Sequence, residues 1–392
     1  MGGETTGGGA RPGLLFLVRR AAGSIGGVQS HGSRLAAGLA ADFDLEQFFW
    51  PGPLWASPFL MPRFQRKAAA HPAKLVHCDD ALTGLMGARL ARREGKKVVA
   101  TVHGMDVVLP FGPYQRRLRR ALPGLHRVVC VSRATADRVI ERGVDPKRVV
   151  IIPNAAEEVA EPLVKGPELL ARIRRRTGID LSGKRLLFSL GRPVVRKGFD
   201  FFASQVLPRL PGDCVYIVAG PTAAVPPVIK AVGSLLGRRT RRLLLVSLGL
   251  YTSHQELVAL NGRRGFHYLT DIDDELRNLL LHAADLLIMP NIVVPGDMEG
   301  FGIVALEASV RGVPVAASGI EGITDAVTPG KNGILLPAGD AVAQAEAIAA
   351  LLADRPRLAA LGRSAAAHAR ERFSLGRITE AYRAIFQELA AE

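Results

Sequence analysis

Cysteine is scarce in this sequence, and long apolar runs are missing. The three cysteines, Cys78, Cys130 and Cys214, each lie in an apolar, strand-like run. A sparse, odd-numbered and buried set argues against a disulfide framework and for a reducing compartment. No run approaches the roughly 18 to 20 apolar residues that span a bilayer. These absences predict a cytoplasmic protein without a spanning helix.

The N-terminal segment MGGETTGGGARPG lacks the basic start and the long apolar stretch of a signal peptide. Its glycine content instead predicts a flexible lead-in over residues 1–12.

Aromatic residues are few, at 6%, and no basic segment is interleaved with rings that could stack on bases. This disfavours nucleic-acid binding, although a basic scaffold of that kind stays a minor alternative. The net charge of +15 is concentrated in segments 115–120, 171–176 and 238–242. Such clusters are either solvated helix faces or contacts for an anionic membrane surface.

The segment PYQRRLRRALPGL favours the membrane alternative. Its arginines stand beside Leu118, Ala121 and Leu122 in a short amphipathic pattern that could lie on anionic lipid. We therefore predict a peripheral contact with the inner face of a membrane. Four arginines would make it: Arg116, Arg117, Arg119 and Arg120.

Short apolar runs alternate with helical patterns over most of the 392 residues, as is typical of a parallel α/β sheet. A charged segment with proline and glycine interrupts this alternation near residue 165. The strands predicted before it are 14–18, 47–50, 74–78, 97–104, 127–132 and 148–154. The strands predicted after it are 186–191, 214–220, 243–249, 266–270, 285–291, 314–318 and 333–337.

Two series of similar length predict two Rossmann-like domains, over residues 13–165 and 166–373, followed by a helical tail that includes residues 374–392. In open α/β sheets, ligands collect beyond the carboxyl ends of the strands. Two such edges facing each other would form a cleft.

Several motifs fall at those edges. Gly26 and Gly27 follow the first strand where a helix starts, a place where backbone amides can approach a phosphate, although a tight turn would explain them equally. His31 is more simply a structural histidine. His103 ends the strand VVATV and could contact a sugar hydroxyl or act as an acid or base.

The loop SLGRPVVRKGFD places Arg192, Arg196 and Lys197 after a strand of the second series. Two or three fixed cations beside glycine turns suit a diphosphate, whose charge must be neutralised as it leaves. Basic residues are also common in loops without such a task.

The stretch GDMEGFGIVALEASVRGVPV holds two glutamates eight positions apart. Glu299 precedes a helix that we expect to begin near Gly302, and Glu307 lies five residues further on, roughly 7 Å along the axis. Carboxylates accept hydrogen bonds from paired hydroxyls, and the helix start with its glycine amides suits a phosphate. The arrangement predicts a receptor for a sugar nucleotide.

EGFGIVALEAS resembles the E-x7-E motif of the large retaining glycosyltransferase family with the two-domain GT-B fold (glycosyltransferase family 4, or glycosyl transferases group 1). The motifs SIGGVQSH, TVHG, VSRATADRV, GRPVVRKG and TDIDDELRNLLLHAADLLIMPN follow in the family's order over roughly residues 14 to 390. The resemblance implies an acceptor-binding first domain, a nucleotide-sugar-binding second domain, and a final helix that crosses back onto the first domain.

The resemblance also implies roles for the basic and glycine residues. Gly26 and Gly27 would lie near the donor phosphate and the acceptor. His103 would contact the transferred sugar. Arg192 and Lys197 would neutralise the leaving diphosphate.

For the glutamate segment, the resemblance implies that Glu299 binds hydroxyls of the donor sugar and Glu307 the ribose. Gly300 and Gly302 would supply backbone amides, and Phe301 belongs to the same donor-binding segment. The loop departs from the family at Asp297, where proline and serine are frequent, and this leaves the donor sugar open.

The implied chemistry is transfer with retention of anomeric configuration by front-face attack, since no second carboxylate is an obvious nucleophile. Two D-x-D pairs, at 42–44 and 271–273, are explained by chance and helix capping. Arginine and lysine supply the charge that a metal would bring, so the sequence predicts an enzyme without metal or cofactor.

Three alternatives stay open on the sequence. A sugar-nucleotide 2-epimerase of the same fold would need no acceptor. The acceptor of a transferase could be a lipid-linked or envelope glycan, which we favour, or a soluble molecule. Uridine, guanosine and adenosine donors are not separated.

Overall fold

The computed structural model describes residues 11–19, 27–49, 57–159 and 163–392. Within the last range it leaves out 223–224, 227–228, 230 and 232–233, and for 27–31 and 57–60 it describes the backbone alone. Residues 1–10 of the expected lead-in, together with Gly26, therefore lie outside the described residues.

A parallel sheet with helices on both faces forms the first half. Its strands are β1 (Gly13–Val18), β2 (Asp44–Phe49), β3 (Leu75–Cys78), β4 (Lys97–Val102), β5 (Arg127–Cys130) and β6 (Val149–Ile151). Its helices are α1 (Gly27–Leu39), α2 (Ser57–Ala70), α3 (Ala81–Glu94), α4 (Met105–Val108), α5 (Gly112–Ala121) and α6 (Arg133–Ile140). The strand order is β2-β1-β3-β4-β5-β6, with every pair parallel.

A second parallel sheet forms the other half. Its strands are β7 (Arg185–Leu190), β8 (Cys214–Gly220), β9 (Phe266–Thr270), β10 (Leu286–Met289), β11 (Val315–Ser318) and β12 (Gly333–Leu336). Helices here are α7 (Pro167–Thr177), α8 (Phe199–Phe201), α9 (Arg238–Ser247), α10 (His254–Leu260), α11 (Asp274–Ala283), α12 (Ile303–Ser309), α13 (Ile323–Ala326), α14 (Ala341–Ala353), α15 (Arg355–Arg372) and α16 (Leu375–Ala391). The order is β12-β11-β10-β7-β8-β9.

Both faces of each sheet are buried, which explains why the strands read as continuous apolar runs rather than alternating ones. In β1, Leu15 and Leu17 face one core together with Val76, while Leu14 and Phe16 face another. All three cysteines are buried and free, as the sequence predicted.

The final helix crosses back onto the first sheet, as the resemblance implied. The Tyr382 hydroxyl lies 2.8 Å from the Thr101 hydroxyl on β4, and Phe386 packs against Phe16 of β1. At the helix end, Glu388 pairs with Arg127 of β5. The two-domain GT-B arrangement follows from these contacts and from the two sheets.

One predicted strand is wrong. The run LLLVSLG at 243–249 is not a strand: most of it forms the C-terminal part of α9. Short apolar runs do not distinguish a strand from a helix. Val246 is the one buried residue of this helix, and the basic residues RRTRR ahead of the run belong to the same surface helix.

Within the described residues, no helix combines the length and the apolar composition needed to cross a membrane. The proposed division at residue 165 falls in the connection between β6 and α7.

Candidate active site

The two halves touch through glycine loops that follow β4 and β10. A Cβ on Gly104 would lie 2.6 Å from the Cα of Gly300, and a Cβ on Gly300 would overlap the carbonyl oxygen of His103. Thr135 Oγ1 also donates to the Gly300 carbonyl at 3.4 Å. Only glycine fits at position 300, where the His103 loop meets the Glu299 loop. The sequence did not reveal this steric reason for Gly300.

Glu299 is 8% exposed and lies in this contact. Its Oε2 atom is 2.7 Å from Lys197 Nζ and accepts a hydrogen bond from Asn291 Nδ2 at 3.1 Å. Burial alone would raise the pKa of Glu299, but Lys197, Arg196 and these hydrogen bonds lower it to about 2. Glu299 is thus an ionised, hydrogen-bond-accepting carboxylate.

Two further acidic residues surround Glu299. The backbone amide of Glu299 donates to Glu321 Oε2 at 2.5 Å, and Glu321 has the left-handed φ of 52°. Asp297 Oδ1 is 3.6 Å from Arg196 Nε, too far for a hydrogen bond. Burial raises the pKa of both acids, with Arg196 opposing the shift of Asp297.

The predicted basic loop is a tight turn after β7. Residues Val195–Lys197 form one 3-10 turn, which Gly198 closes with a φ of 63°. The turn directs Arg196 and Lys197 toward Glu299. Arg192 does not join these ion pairs: its side chain is exposed, with its guanidinium beside Gly249.

Glu307 lies on α12, which begins after Gly302 as predicted. Its Oε2 atom is 3.0 Å from Arg277 Nη2, an ion pair rather than a well-aligned hydrogen bond. The side chain of Phe301 packs edge-on against Phe373 in the hydrophobic core. Because the Phe301 side chain is in the core, only the Phe301 backbone could contact a donor. Gly302 takes a φ of 93°, which favours glycine.

His103 follows β4, at the carboxyl edge of the first sheet, as predicted. Its Nε2 atom donates to the backbone carbonyl of Asp79 at 2.9 Å, and its backbone amide donates to Asp106 Oδ1 at 2.9 Å. These two contacts fix the imidazole beside the Gly300 loop. Gly27 begins α1, and its predicted donor contact stays a prediction.

An acidic cluster behind His103 went unnoticed in the sequence, although the motif HCDD at the end of β3 contains two of its three members. Asp79, Asp80 and Asp106 are all buried or nearly so. Burial, and then Asp80, raise the pKa of Asp79 well above its ordinary value. Burial would also raise the pKa of Asp80, but Arg19 and Thr83 keep it lowered.

Metal ligands do not converge in the part of the chain that the structure describes: no group of three His, Cys, Asp or Glu side chains could hold an ion there. Asp273 caps α11 by accepting from the Leu276 amide at 2.9 Å, so its interpretation as a cap is confirmed. Asp271 accepts from Thr222, and Asp42 from Arg383. Whether activity depends on a metal stays a prediction.

The basic segment before β5 folds as α5, with Arg116, Arg117, Arg119 and Arg120 exposed. The prediction that the apolar side chains of this segment contact lipid is wrong. Leu118, Ala121 and Leu122 are buried in the core of the first half and cannot lie on lipid. Any membrane contact through α5 would therefore be made by its charges.

Known protein families match both halves. The family described as Glycosyltransferase Family 4 matches residues 28–158, and Glycosyl transferases group 1 matches residues 172–368. A D-inositol 3-phosphate glycosyltransferase of Thermobispora bispora is 30% identical over 342 residues, covering 83% of this chain and 73% of the relative.

Two further similarities agree with this. A GDP-mannose-dependent alpha-(1-6)-phosphatidylinositol monomannoside mannosyltransferase of Mycolicibacterium smegmatis is 30% identical over 319 residues, 78% of this chain and 74% of the relative. The crystal structure of Anabaena HepE in complex with UDP and glucose matches with a TM-score of 0.70 at 20% identity, covering 97% of this chain and 100% of that one. At this identity HepE shows the shared fold. The chain belongs to the glycosyl transferases group 1 and is a glycosyltransferase of the GT-B fold.

Proposed function

We propose that the enzyme transfers a sugar from a nucleotide-diphosphate donor to a hydroxyl of a glycan or lipid-linked acceptor, with retention and without a metal. The observation that carries this is the buried Lys197–Glu299 pair, 2.7 Å long, at the contact of the two halves. The fixed cation can neutralise the diphosphate of the donor. The fixed carboxylate beside it can accept hydrogen bonds from the hydroxyls of the adjoining sugar.

In the proposed complex the donor exchanges partners with these groups. Lys197, Arg196 and Arg192 bind the diphosphate, so that Glu299 becomes available for the sugar hydroxyls. Glu307 accepts from the ribose. Such charges, already in place before the reaction, stabilise a developing negative charge without reorganisation.

The proposed reaction is front-face attack. The acceptor oxygen forms a bond to the anomeric carbon as the bond to the diphosphate oxygen breaks, and that oxygen takes the acceptor's proton. Glu299, with a pKa of about 2, accepts hydrogen bonds and is not a proton donor at neutral pH. The protein then contributes positioning and charge neutralisation.

The acceptor is proposed from the relatives and the charge. The relatives named above act on an inositol phosphate or a phosphatidylinositol mannoside, and four exposed arginines of α5 lie in the acceptor half. We therefore favour a lipid-linked or envelope-glycan acceptor at the inner face of a membrane. A soluble acceptor is the second choice.

A thermal-shift panel of UDP, GDP and ADP sugars tests the donor. Ligand at one hundred times its Kd should add about 2.7 kcal/mol to the free energy of unfolding, so the true donor should raise Tm clearly. Failure of every nucleotide sugar to raise Tm would contradict the proposal.

With the donor known, product analysis should show transfer only with acceptor, retained configuration and no loss of rate in EDTA. Donor consumption without acceptor would indicate an epimerase instead.

Cosedimentation with vesicles tests the membrane contact. Each arginine near an anionic surface contributes about 1 kcal/mol, so replacing all four arginines of α5 with serine should abolish binding to vesicles rich in anionic phospholipid. Replacing Arg174 and Arg175 of α7 with serine is the control and should leave binding intact. Equal binding of wild type to neutral and anionic vesicles would contradict a charge-based contact.

A further inference from the structure

The chain passes between the two halves at two adjacent places. The first is the connection after β6, and the second is the turn between α15 and α16. The backbone amide of Ala156 in the first donates to the carbonyl of Phe373 in the second at 2.7 Å. Glu157, the next residue of the connection, therefore lies directly beside the point where both crossings meet.

Glu157 belongs to a network with Glu307 and two arginines, and exposed Asp274 lies 3.8 Å from Arg277 at its edge. Glu157 Oε1 contacts Arg311 Nη1 and lies 3.6 Å from Arg277 Nη2. Arg277 Nη2 is in turn 3.0 Å from Glu307 Oε2. One guanidinium thus lies between a carboxylate of the connection and the carboxylate that we assign to the ribose.

The other arginine, Arg311, is held in place by several hydrogen bonds. The Arg311 side chain is 5% exposed, and its Nε and Nη2 atoms donate to Asn278 Oδ1 at 3.0 and 2.7 Å. Its Nη1 atom also donates to the backbone carbonyl of Glu307 at 2.7 Å. Arg311 therefore joins the connection, α11 and α12 through defined hydrogen bonds.

We propose that Arg277 is a positioning residue that orients Glu307 for the nucleotide, and that Glu157 links this orientation to the crossing between the halves. The inference rests on the proposed function. An ion pair to Oε2 fixes the carboxylate while leaving Oε1 to accept from a ribose hydroxyl, and side chains that act on a ligand need such support. A shift of the connection would change how Arg277 is shared between Glu157 and Glu307.

A double-mutant cycle on nucleotide binding tests this. The affinities of UDP, GDP and ADP are measured by calorimetry for wild type, Arg277→Ala, Glu307→Ala and the double variant. If Arg277 acts through Glu307, Arg277→Ala should weaken the preferred nucleotide roughly tenfold, and this effect should vanish in the Glu307→Ala background. Glu157→Gln should cause a smaller loss, and Arg277→Lys should restore part of the affinity.

Arg172→Ala is the matched control, because Arg172 pairs with Glu275 on the surface at 2.7 Å and should leave affinity unchanged. If wild type binds no nucleotide diphosphate, the proposed function fails. If wild type binds but Arg277→Ala binds equally well, or if its effect persists without Glu307, the inference fails and the proposed function stands. Should Arg277→Ala not fold, the same cycle with Arg277→Lys decides, since the loss it causes must also vanish without Glu307.

Discussion

Glu299 and Asp79, in the two halves that meet at Gly300, are buried acids with different surroundings. In the second half, Glu299 is paired with Lys197 and Glu307 with Arg277. In the first half, Asp79 and Asp80 are both buried, and Arg19 pairs with Asp80. The pKa of Glu299 is lowered to about 2, whereas burial raises that of Asp79 well above its usual range.

This difference between Glu299 and Asp79 supports the donor site that we propose in the second half. Paired charges such as Lys197 and Glu299 can separate to receive a ligand that carries negative charge at one end and hydroxyls at the other. A carboxyl with a raised pKa keeps its proton to higher pH and can donate a hydrogen bond. Under the proposed function, the charged donor would bind to the second half, and the first half would bind neutral hydroxyls.

Removing Lys197 should have the largest effect. Lys197→Ala leaves the leaving diphosphate and Glu299 without their nearest positive charge. We expect kcat to fall about 10³-fold, with a smaller change in KM. Lys184→Ala, at an exposed lysine, is the control. Steady-state kinetics with an unchanged kcat for Lys197→Ala would remove Lys197 from the mechanism.

Removing the acid should change the pH dependence of stability. A folded pKa of about 2 against an ordinary value of 4.5 means that the Glu299 charge stabilises the fold above pH 4.5, and that this contribution is lost as pH falls toward 2. It amounts to about 3 kcal/mol.

Urea unfolding at a series of pH values measures this. Wild type should lose unfolding free energy between pH 4.5 and 2 more steeply than Glu299→Gln. Glu346→Gln, at an exposed position of α14, should retain the wild-type slope. Parallel curves for wild type and Glu299→Gln would show that the Lys197 pair does not stabilise the fold.

Separating the two sides should have a somewhat smaller effect. Gly300→Ala places a Cβ against the His103 carbonyl and forces the loops apart. A displacement near 1 Å can cost about 100-fold in rate. Gly212→Ala is the control, because nothing lies within 4 Å of a Cβ there. Wild-type turnover in Gly300→Ala would mean that contact between the loops is not needed.

The sequence predicted what local patterns encode. Strand runs, the turn around Lys197, the start of α12 at Gly302 with Glu299 ahead of it, and the placement of His103 at a strand end all depend on short segments. The wrong strand at 243–249 shows the limit of such patterns. An apolar run is equally compatible with a surface helix when its neighbours along the chain, here arginines, belong to that helix.

The partners of these side chains could not be predicted in the same way. Arg277 and Glu157 are 120 residues apart in the sequence, and Glu321 reaches the Glu299 amide from the loop after β11. Such ion pairs join residues that are distant in the sequence, so they depend on the order of the strands within each sheet. Arg277 lies within a motif of the sequence, but nothing in the sequence indicated its two carboxylate partners outside α11, Glu157 and Glu307.

The most direct test is a crystal structure of the enzyme with the nucleotide sugar that gives the largest thermal shift. We predict that the sugar lies within hydrogen-bond distance of Glu299, the ribose near Glu307, and the diphosphate against Lys197, between the two halves. A nucleotide sugar bound elsewhere, out of reach of both glutamates, would contradict it.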